Sequence, residues 1–345
     1  MIDPMAAANL YRLAFGFIPA QMIHAAVRLR IPDLIAGRTL TAGELAERTA
    51  THAPALRRLL RGLASIGVLE EHDDGFRLAP AGEPLRSDVP GSVRPMLMPY
   101  FHETMWASWG RLTDCVRTGQ PSVETVTGGS VFDLFAADPE LGAEFHAAMA
   151  VSGGAEAQAL ARSYDFGDVR TVVDLGGGNG ALLAGILGHH PHLRGILVDT
   201  PVGVAGAPDT LTAAGVADRC DIVAEDFFAS VPDGGDRYVI KSVLHDWEDE
   251  RCVTLLGNCR RVMSDTARVL IVEVVAPPVV DATTDPFLTV SDLNLMVLTH
   301  GRERTDEEFT ELLRAAGLEL TGIGAPLGFS GYRVIEARTA AGPAQ

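Results

Sequence analysis

Three groups of residues in this chain have types and spacing suited to chemistry. The first is Val172-Val-Asp174-Leu-Gly176-Gly-Gly178-Asn-Gly180, an apolar run that ends in an acid and a set of glycines. Glycines just after a strand let the backbone approach a bound cofactor closely, at the edge where open parallel sheets hold ligands. The second is Val239-Ile-Lys241-Ser242-Val-Leu-His245-Asp246-Trp247, a buried-strand pattern that breaks into a polar cluster. Histidine titrates near pH 6.5, so His245 is suited to taking a proton from a hydroxyl. The third is a pair of carboxylates. Glu273 interrupts the otherwise apolar stretch 269–275, where a charge needs a partner, and Glu303 lies in Thr299-His-Gly-Arg-Glu-Arg-Thr305. Either one is a candidate to orient His245 through its second ring nitrogen. Asp246 reads as the N-cap of the helix that follows, in preference to a base.

The glycine loop admits two cofactor classes. Gly176-x-Gly178-x-x-Ala181 satisfies the loose dinucleotide fingerprint, which points to a nicotinamide or flavin enzyme. Asp199, at the end of the next strand, would accept from ribose hydroxyls in either case. Three features favour S-adenosylmethionine (SAM). Asp174 stands just before the glycines. Asp226-Phe227 follows the third strand, offering a carboxylate for the adenine amino group and a ring to stack on it. The loop also begins deep in the chain, behind a helical module.

These groups need a scaffold, and the pattern supplies one. From Thr171 onward, β-rich runs at 171–175, 195–199, 221–224, 238–242 and 268–275 alternate with helical ones, the signature of a doubly wound, mostly parallel sheet. Two further strands, 318–323 and 332–337, close it as an antiparallel pair. The first hundred residues read differently. Ile23, Ala26, Val27 and Ile31 recur at helical spacing up to a break at Pro32. Thr41-Ala-Gly-Glu44 is a capping box. The helix at 54–66 ends at Gly67, and a hairpin follows through Asp73-Asp-Gly75. Helix, helix and two-stranded wing outline a winged helix. Between the two lies a helical stretch rich in Met96, Met98, Phe101, Met105, Trp106, Trp109, Phe132, Phe135, Phe145 and Met149. Singly these read as core; as a set they could wall a pocket for a flat substrate. The expected division is 1–100 winged-helix-like module, 101–165 linker helices, 166–338 cofactor-binding domain and 339–345 tail.

Composition narrows the function classes. The chain has 345 residues, with 28 basic against 45 acidic side chains and a net charge of −17. Residues 28–90 hold nine arginines against nine acids, so the winged module is neutral and the whole excess lies beyond it. A neutral module has no electrostatic footprint for phosphate, which argues against nucleic acid and for a protein–protein role. The acidity likewise argues against an anionic membrane surface. Lys241 is the sole lysine. The four cysteines show no metal-ligand spacing, no stretch is apolar enough to span a membrane, and the first residues lack a signal-peptide pattern. A cytoplasmic enzyme without a metal is the expectation.

Taken together, Ile31-Pro-Asp-Leu34, Val172–Gly180, Leu197-Val-Asp199-Thr-Pro201, Glu225-Asp226-Phe227, His245-Asp-Trp247 and Gly301-Arg-Glu-Arg-Thr305 resemble the caffeic-acid-type, SAM-dependent small-molecule O-methyltransferases, over nearly the whole chain. The resemblance implies a Rossmann-like class I methyltransferase domain behind an N-terminal, mostly helical winged-helix dimerisation domain, and thus a homodimer. It implies methylation of a hydroxyl, phenolic by preference, on an aromatic small molecule of bacterial secondary metabolism, with S-adenosyl-L-homocysteine (SAH) as by-product. Asp174, Gly176, Gly178, Asp199, Asp226, Phe227, Lys241 and Ser242 fall on the cofactor side. His245 would be the general base, held by Glu273 and Glu303. Met149, Phe145, Trp106, Asn294, Met296 and Asp246 fall on the acceptor side. Two departures stand out: Thr200 replaces the usual leucine after Asp199, and Ser242 stands where plant members often carry tryptophan beside the adenine. Rival readings are a SAM-binding relative performing hydroxylation, decarboxylation or a pericyclic step, and a non-catalytic SAM-binding dimer.

Overall fold

The computed structural model describes residues 3–327 and 331–340, with side chains outside 150–155 and 287. The chain divides into two compact units, Met1–Phe101 and His102–Gln345.

In the first unit, Thr41 and Glu44 form the reciprocal capping box that starts the helix Ala42–Thr49. The helix Ala53–Ser65 buries Leu56, Leu60 and Leu63 on one face. Gly67, with φ +78°, turns the chain out of it into β1 (Leu69–His72). Strand β1 pairs antiparallel with β2 (Gly75–Leu78), so the wing is present. The helical break lies at Leu29 and at Arg30, which is left-handed; Pro32 instead sits in the first turn of the next short helix, Ile31–Leu34. Arg57 and Arg61 both reach Glu71 of the wing, at 3.7 and 3.1 Å. Part of the positive charge of that helix is thereby answered within the unit. Met98 and Phe101, grouped on sequence with a possible pocket wall, serve this unit's packing: Met98 joins its core and Phe101 stacks on His24 at 4.8 Å. The helix Pro4–Ala14 buries none of its side chains, and Met5, Leu10, Tyr11 and Leu13 are each more than half exposed.

The second unit is a seven-stranded sheet, built from β3 (Thr171–Leu175), β4 (Arg194–Asp199), β5 (Cys220–Ala224), β6 (Arg237–Lys241), β7 (Arg268–Val274), β8 (Leu318–Ile323) and β9 (Tyr332–Thr339). Their order is β5-β4-β3-β6-β7-β9-β8. The first five strands are parallel; β9 runs antiparallel between β7 and β8. Consecutive residues face opposite sides of a strand. Val172 thus belongs to the core under the helices Pro139–Ser163 and Ala181–His189, and Val173 to the core under Asp249–Val262 and Asp306–Ala315. Burial on both faces explains why the central strands read as unbroken apolar runs. Thr339 pairs with Leu318, so the strand extends into the expected tail; 341–345 lie outside the described residues. Among the described residues, no helix is long and apolar enough to cross a membrane.

Candidate functional site

Adjacent strands β3 and β6 carry the two halves of the site at their carboxyl ends. Beyond β3, Gly176 and Gly178 adopt φ +74° and +55°. A Cβ on Gly176 would lie 2.5 Å from Val243 Cγ2, and one on Gly177 would lie 2.5 Å from Asp174 Oδ2. Only glycine lets the loop rest on the Asp174 carboxylate and against the turn that follows β6. Asp199 ties the loop down: Gly178 N donates to its Oδ2 at 2.8 Å and Thr200 N to its Oδ1 at 2.6 Å. Asp174 is buried, and neither carboxylate oxygen has a hydrogen-bond partner. Burial, then the like charge of Asp199, push its carboxyl up to about 7 against the pull of Lys241. An unpartnered buried carboxylate beneath a glycine cradle fits a cofactor that brings a cationic group.

Phe227 is buried within 3.6 Å of where a Gly176 Cβ would stand, while Asp226 is exposed and accepts from Phe228 N at 2.8 Å. Lys241 donates to Ser242 Oγ at 3.1 Å and lies 4.8 Å over the Tyr332 ring; burial depresses its pKa, opposed by Glu156, Asp174 and Glu273. Ser242, with φ +52°, donates a hydrogen bond from its Oγ to Tyr332 OH at 3.0 Å.

His245 lies in the 3₁₀ turn Leu244–Asp246 beyond β6. Its Nδ1 is 3.4 Å from Glu303 Oε1. Glu303 is itself fixed: Ser291 Oγ donates to Oε1 at 2.6 Å, and Glu303 N donates to Asp292 Oδ1 at 2.9 Å. Glu273 departs from the expectation that it would hold the ring. Its Oε1 accepts from the main-chain amides of Val243 and His245 at 3.1 and 3.2 Å, so it holds the turn. The reason is register: β7 runs beside β6 and brings Glu273 beneath the residues that leave that strand. Burial lowers the His245 pKa, but Asp246, Glu303 and Glu273 outweigh it and hold the imidazole up at about 9. Asp246 is not the helix N-cap either. Trp247 is extended, the cap falls on Glu248 and the helix starts at Asp249. Asp246 instead closes the His245 turn, where burial pushes its carboxyl up to about 6.

On the acceptor side, Trp109 Nε1 donates to Asn294 Oδ1 at 3.2 Å. This joins the helix Glu103–Trp109, which carries Trp106, to the helix Pro286–Leu298, which carries Asn294, Met296 and Ser291. Trp106 Nε1 is buried with no hydrogen-bond partner. Phe145 stacks on Phe135 at 4.3 Å, so its ring takes part in helix packing, and Met149 on the same helix is half-buried. Phe132 stacks on Trp247 at 5.4 Å.

Comparison with known proteins identifies the family. Residues 109–319 match the model of the O-methyltransferase domain, and 11–87 that of the O-methyltransferase dimerisation domain. The chain belongs to the O-methyltransferase family. It is 39% identical over 335 residues to the O-demethylpuromycin-O-methyltransferase of Streptomyces alboniger, covering 95% of this chain and 88% of that one. The solved structure of the mitomycin 7-O-methyltransferase MmcR superposes with a TM-score of 0.92 at 37% identity, over 97% of this chain and 98% of that one. The O-methyltransferase NcsB1 from neocarzinostatin biosynthesis, solved with SAM and 2-hydroxy-5-methyl naphthoic acid, gives a TM-score of 0.81 at 30% identity over 93% and 96%.

Three site contributors of this O-methyltransferase escaped the sequence reading. Asn258 donates to the carbonyls of Phe227 and Phe228 at 3.0 and 2.8 Å and so pins the aromatic turn. Its signal was a lone amide on a helix face shared with Leu255 and Cys259. Tyr332 bonds Ser242 across 90 positions, and Ser291 buttresses Glu303 across 12; neither lies in a motif.

Proposed function

We propose that this O-methyltransferase methylates a phenolic hydroxyl of an aromatic secondary metabolite, with His245 as general base and two copies associating through the first unit. SAM, when bound, supplies an electrophilic methyl group. The observation that carries the reading is the packing of the two loops: Gly176 rests against Val243, two residues before His245. Cofactor cradle and base therefore lie at neighbouring strand ends, where an acceptor oxygen can be held in line. Asp174, Gly176, Gly178, Asp199, Asp226, Phe227 and Lys241 would hold the donor, with Asp174 answering its ammonium group. His245 takes the hydroxyl proton as the oxygen attacks. Glu303 Oε1 lies 3.4 Å from Nδ1, an ion-pair approach without a hydrogen bond, and its charge favours the proton on that nitrogen, leaving Nε2 to act. Trp106, Phe145, Met149, Asn294 and Met296 would line the acceptor, Asp246 lying beside His245. Buried reduced thiols at Cys115, Cys220, Cys252 and Cys259 support work in a reducing, cytoplasmic setting.

The test is incubation with methyl-labelled SAM and a panel of aromatic hydroxy compounds, 1,4-dihydroxy-2-naphthoic acid among them, with product mass as readout. A gain of one methyl on oxygen is expected. Any other mass change, or SAH release without methylated product, overturns the reading.

A further inference from the structure

The segment Gly301-Arg-Glu-Arg-Thr305 contributes more than Glu303. Arg304 is 1% exposed, and among the described residues it is the largest fully buried side chain. Burying a guanidinium is costly unless its donors are used. Here Nη1 donates to Leu244 O at 2.9 Å and Nη2 to Trp247 O at 2.8 Å, the carbonyls that bracket His245. Nε and Nη2 both reach Asp249 Oδ1, at 3.0 and 2.8 Å. Nη2 also lies 3.5 Å from Cys252 Sγ, whose thiol in turn donates to Leu244 O. Glu273 takes the amides of the same turn. The turn lies outside the sheet ladder, so without these partners its buried polar groups would be orphaned.

The backbone of the segment explains how one stretch does two jobs. Arg304 forms a parallel bridge with Val275, and Ala276 N donates to Arg304 O at 2.9 Å. Neighbours on an extended stretch point to opposite sides. Glu303 thus meets the imidazole and Arg304 meets the carbonyls around it. Gly301 completes the fit, because a Cβ there would overlap the His245 carbonyl.

We propose that Arg304 is a positioning residue for methyl transfer, fixing the Leu244–Trp247 turn so that the His245 ring stays against Glu303. Its catalytic part rests on the reading of His245 as base. The groups facing His245 are Asp246 of its own turn, Glu273 of β7 and Glu303 of the segment itself.

Arg304→Lys keeps the charge and loses the planar fork. In the full chain carrying ¹³C-labelled histidine, with the resonance assigned by His245→Gln, the ring should titrate well below its value in the wild type measured alongside, where the surrounding carboxylates hold it up. SAH affinity, measured by calorimetry, should stay within about twofold. Turnover of whichever phenol the wild type methylates should fall by about 100-fold, the scale expected for an ångström of misplacement. Guanidinium ion should restore part of the turnover of Arg304→Ala, because an open cavity of about 400 Å³ lined by Trp247, Asp249, His300 and Arg302 also has Arg304 in its wall. An unchanged His245 titration in Arg304→Lys, or SAH affinity lost in step with turnover, overturns the proposal. Should both variants fail to fold, Asp249→Asn decides: its half-exposed carboxylate anchors Arg304, so the His245 titration must fall there or the proposal fails. The titration needs no proton transfer to substrate. Full turnover in His245→Gln would therefore sink the general-base reading while the hold of Arg304 on the ring was still measured.

Discussion

At the glycine loop, Asp174 keeps both carboxylate oxygens buried and without a partner. At the His245 turn next door, Glu273 and Arg304 answer the main-chain groups of Val243, Leu244, His245 and Trp247, and the unpartnered atoms are side-chain ones, His245 Nδ1, Glu273 Oε2 and Glu303 Oε2. Both loops leave adjacent parallel strands, so topology does not account for the contrast. The difference separates two demands. A ligand-holding loop must keep polar atoms in reserve for what it binds, at a cost in stability. A loop that presents a base, as proposed for His245, must spend its main-chain polar atoms on itself, because the angle of one ring would decide the rate.

His245→Ala tests the second half hardest. Loss of a general base is typically worth about 10²–10⁴-fold in turnover, and that loss is expected with SAH affinity little changed. Unchanged turnover would end the assignment. Gly301→Ala attacks the same turn from outside, and its Cβ has no room beside the His245 carbonyl. A fall in turnover of about 100-fold is expected; wild-type kinetics would show that the turn can shift without cost to the reaction.

Asp174→Asn addresses the first half and should act in two directions. Removing the charge should weaken SAH binding by about tenfold or more, the scale of a lost charge-assisted hydrogen bond. The same change should raise the melting temperature of the ligand-free protein by a few degrees. The sign follows from the carboxyl being held up at about 7, above its ordinary value of 3.8. The fold binds that proton more tightly than the unfolded chain does, so the ligand-free wild type loses stability as pH rises from about 4 to 7. A variant that melts lower, or binds SAH as before, would place Asp174 among ordinary core groups.

The rate profile gives a smaller test. With His245 held up at about 9, the ring is mostly protonated at neutral pH. Activity as kcat/KM should therefore climb close to tenfold per pH unit below about 9 and level above it. A plateau reached by pH 7 would show that the carboxylates around the ring do not govern its titration in the working enzyme. Lys241→Arg is the mildest change. A forked head cannot take the place of an ammonium that sits over Tyr332 and donates to Ser242, so SAH affinity should fall by a few-fold. No change in affinity would confine Lys241 to that local packing.

Much of the candidate site was legible in the sequence because its residues end strands, and strand ends announce themselves. Apolar runs stop at Asp174-Leu-Gly176, at Asp199 and at Lys241, and the topology then brings those stops to one edge. What could not be read was which atom meets which. Glu273 carries an alternation signal but no sign that it would choose amides over a ring. Asp246 has the composition of a helix cap, and two extended residues displaced the helix start. Arg304, Tyr332 and Asn258 act across 60, 90 and 31 positions, distances over which one chain leaves no periodic trace.

The placement of β9 has a consequence for how the molecule is held together. Strand β9 ends at Thr339, yet it lies inside the sheet between β7 and β8, and it delivers Tyr332 to Ser242. The glycine loop, His245 and Glu303 all precede that strand in the sequence. The eight residues of β9 are therefore a keystone: without them β8 has no strand to pair with and Tyr332 cannot reach Ser242, although every other candidate site residue lies upstream.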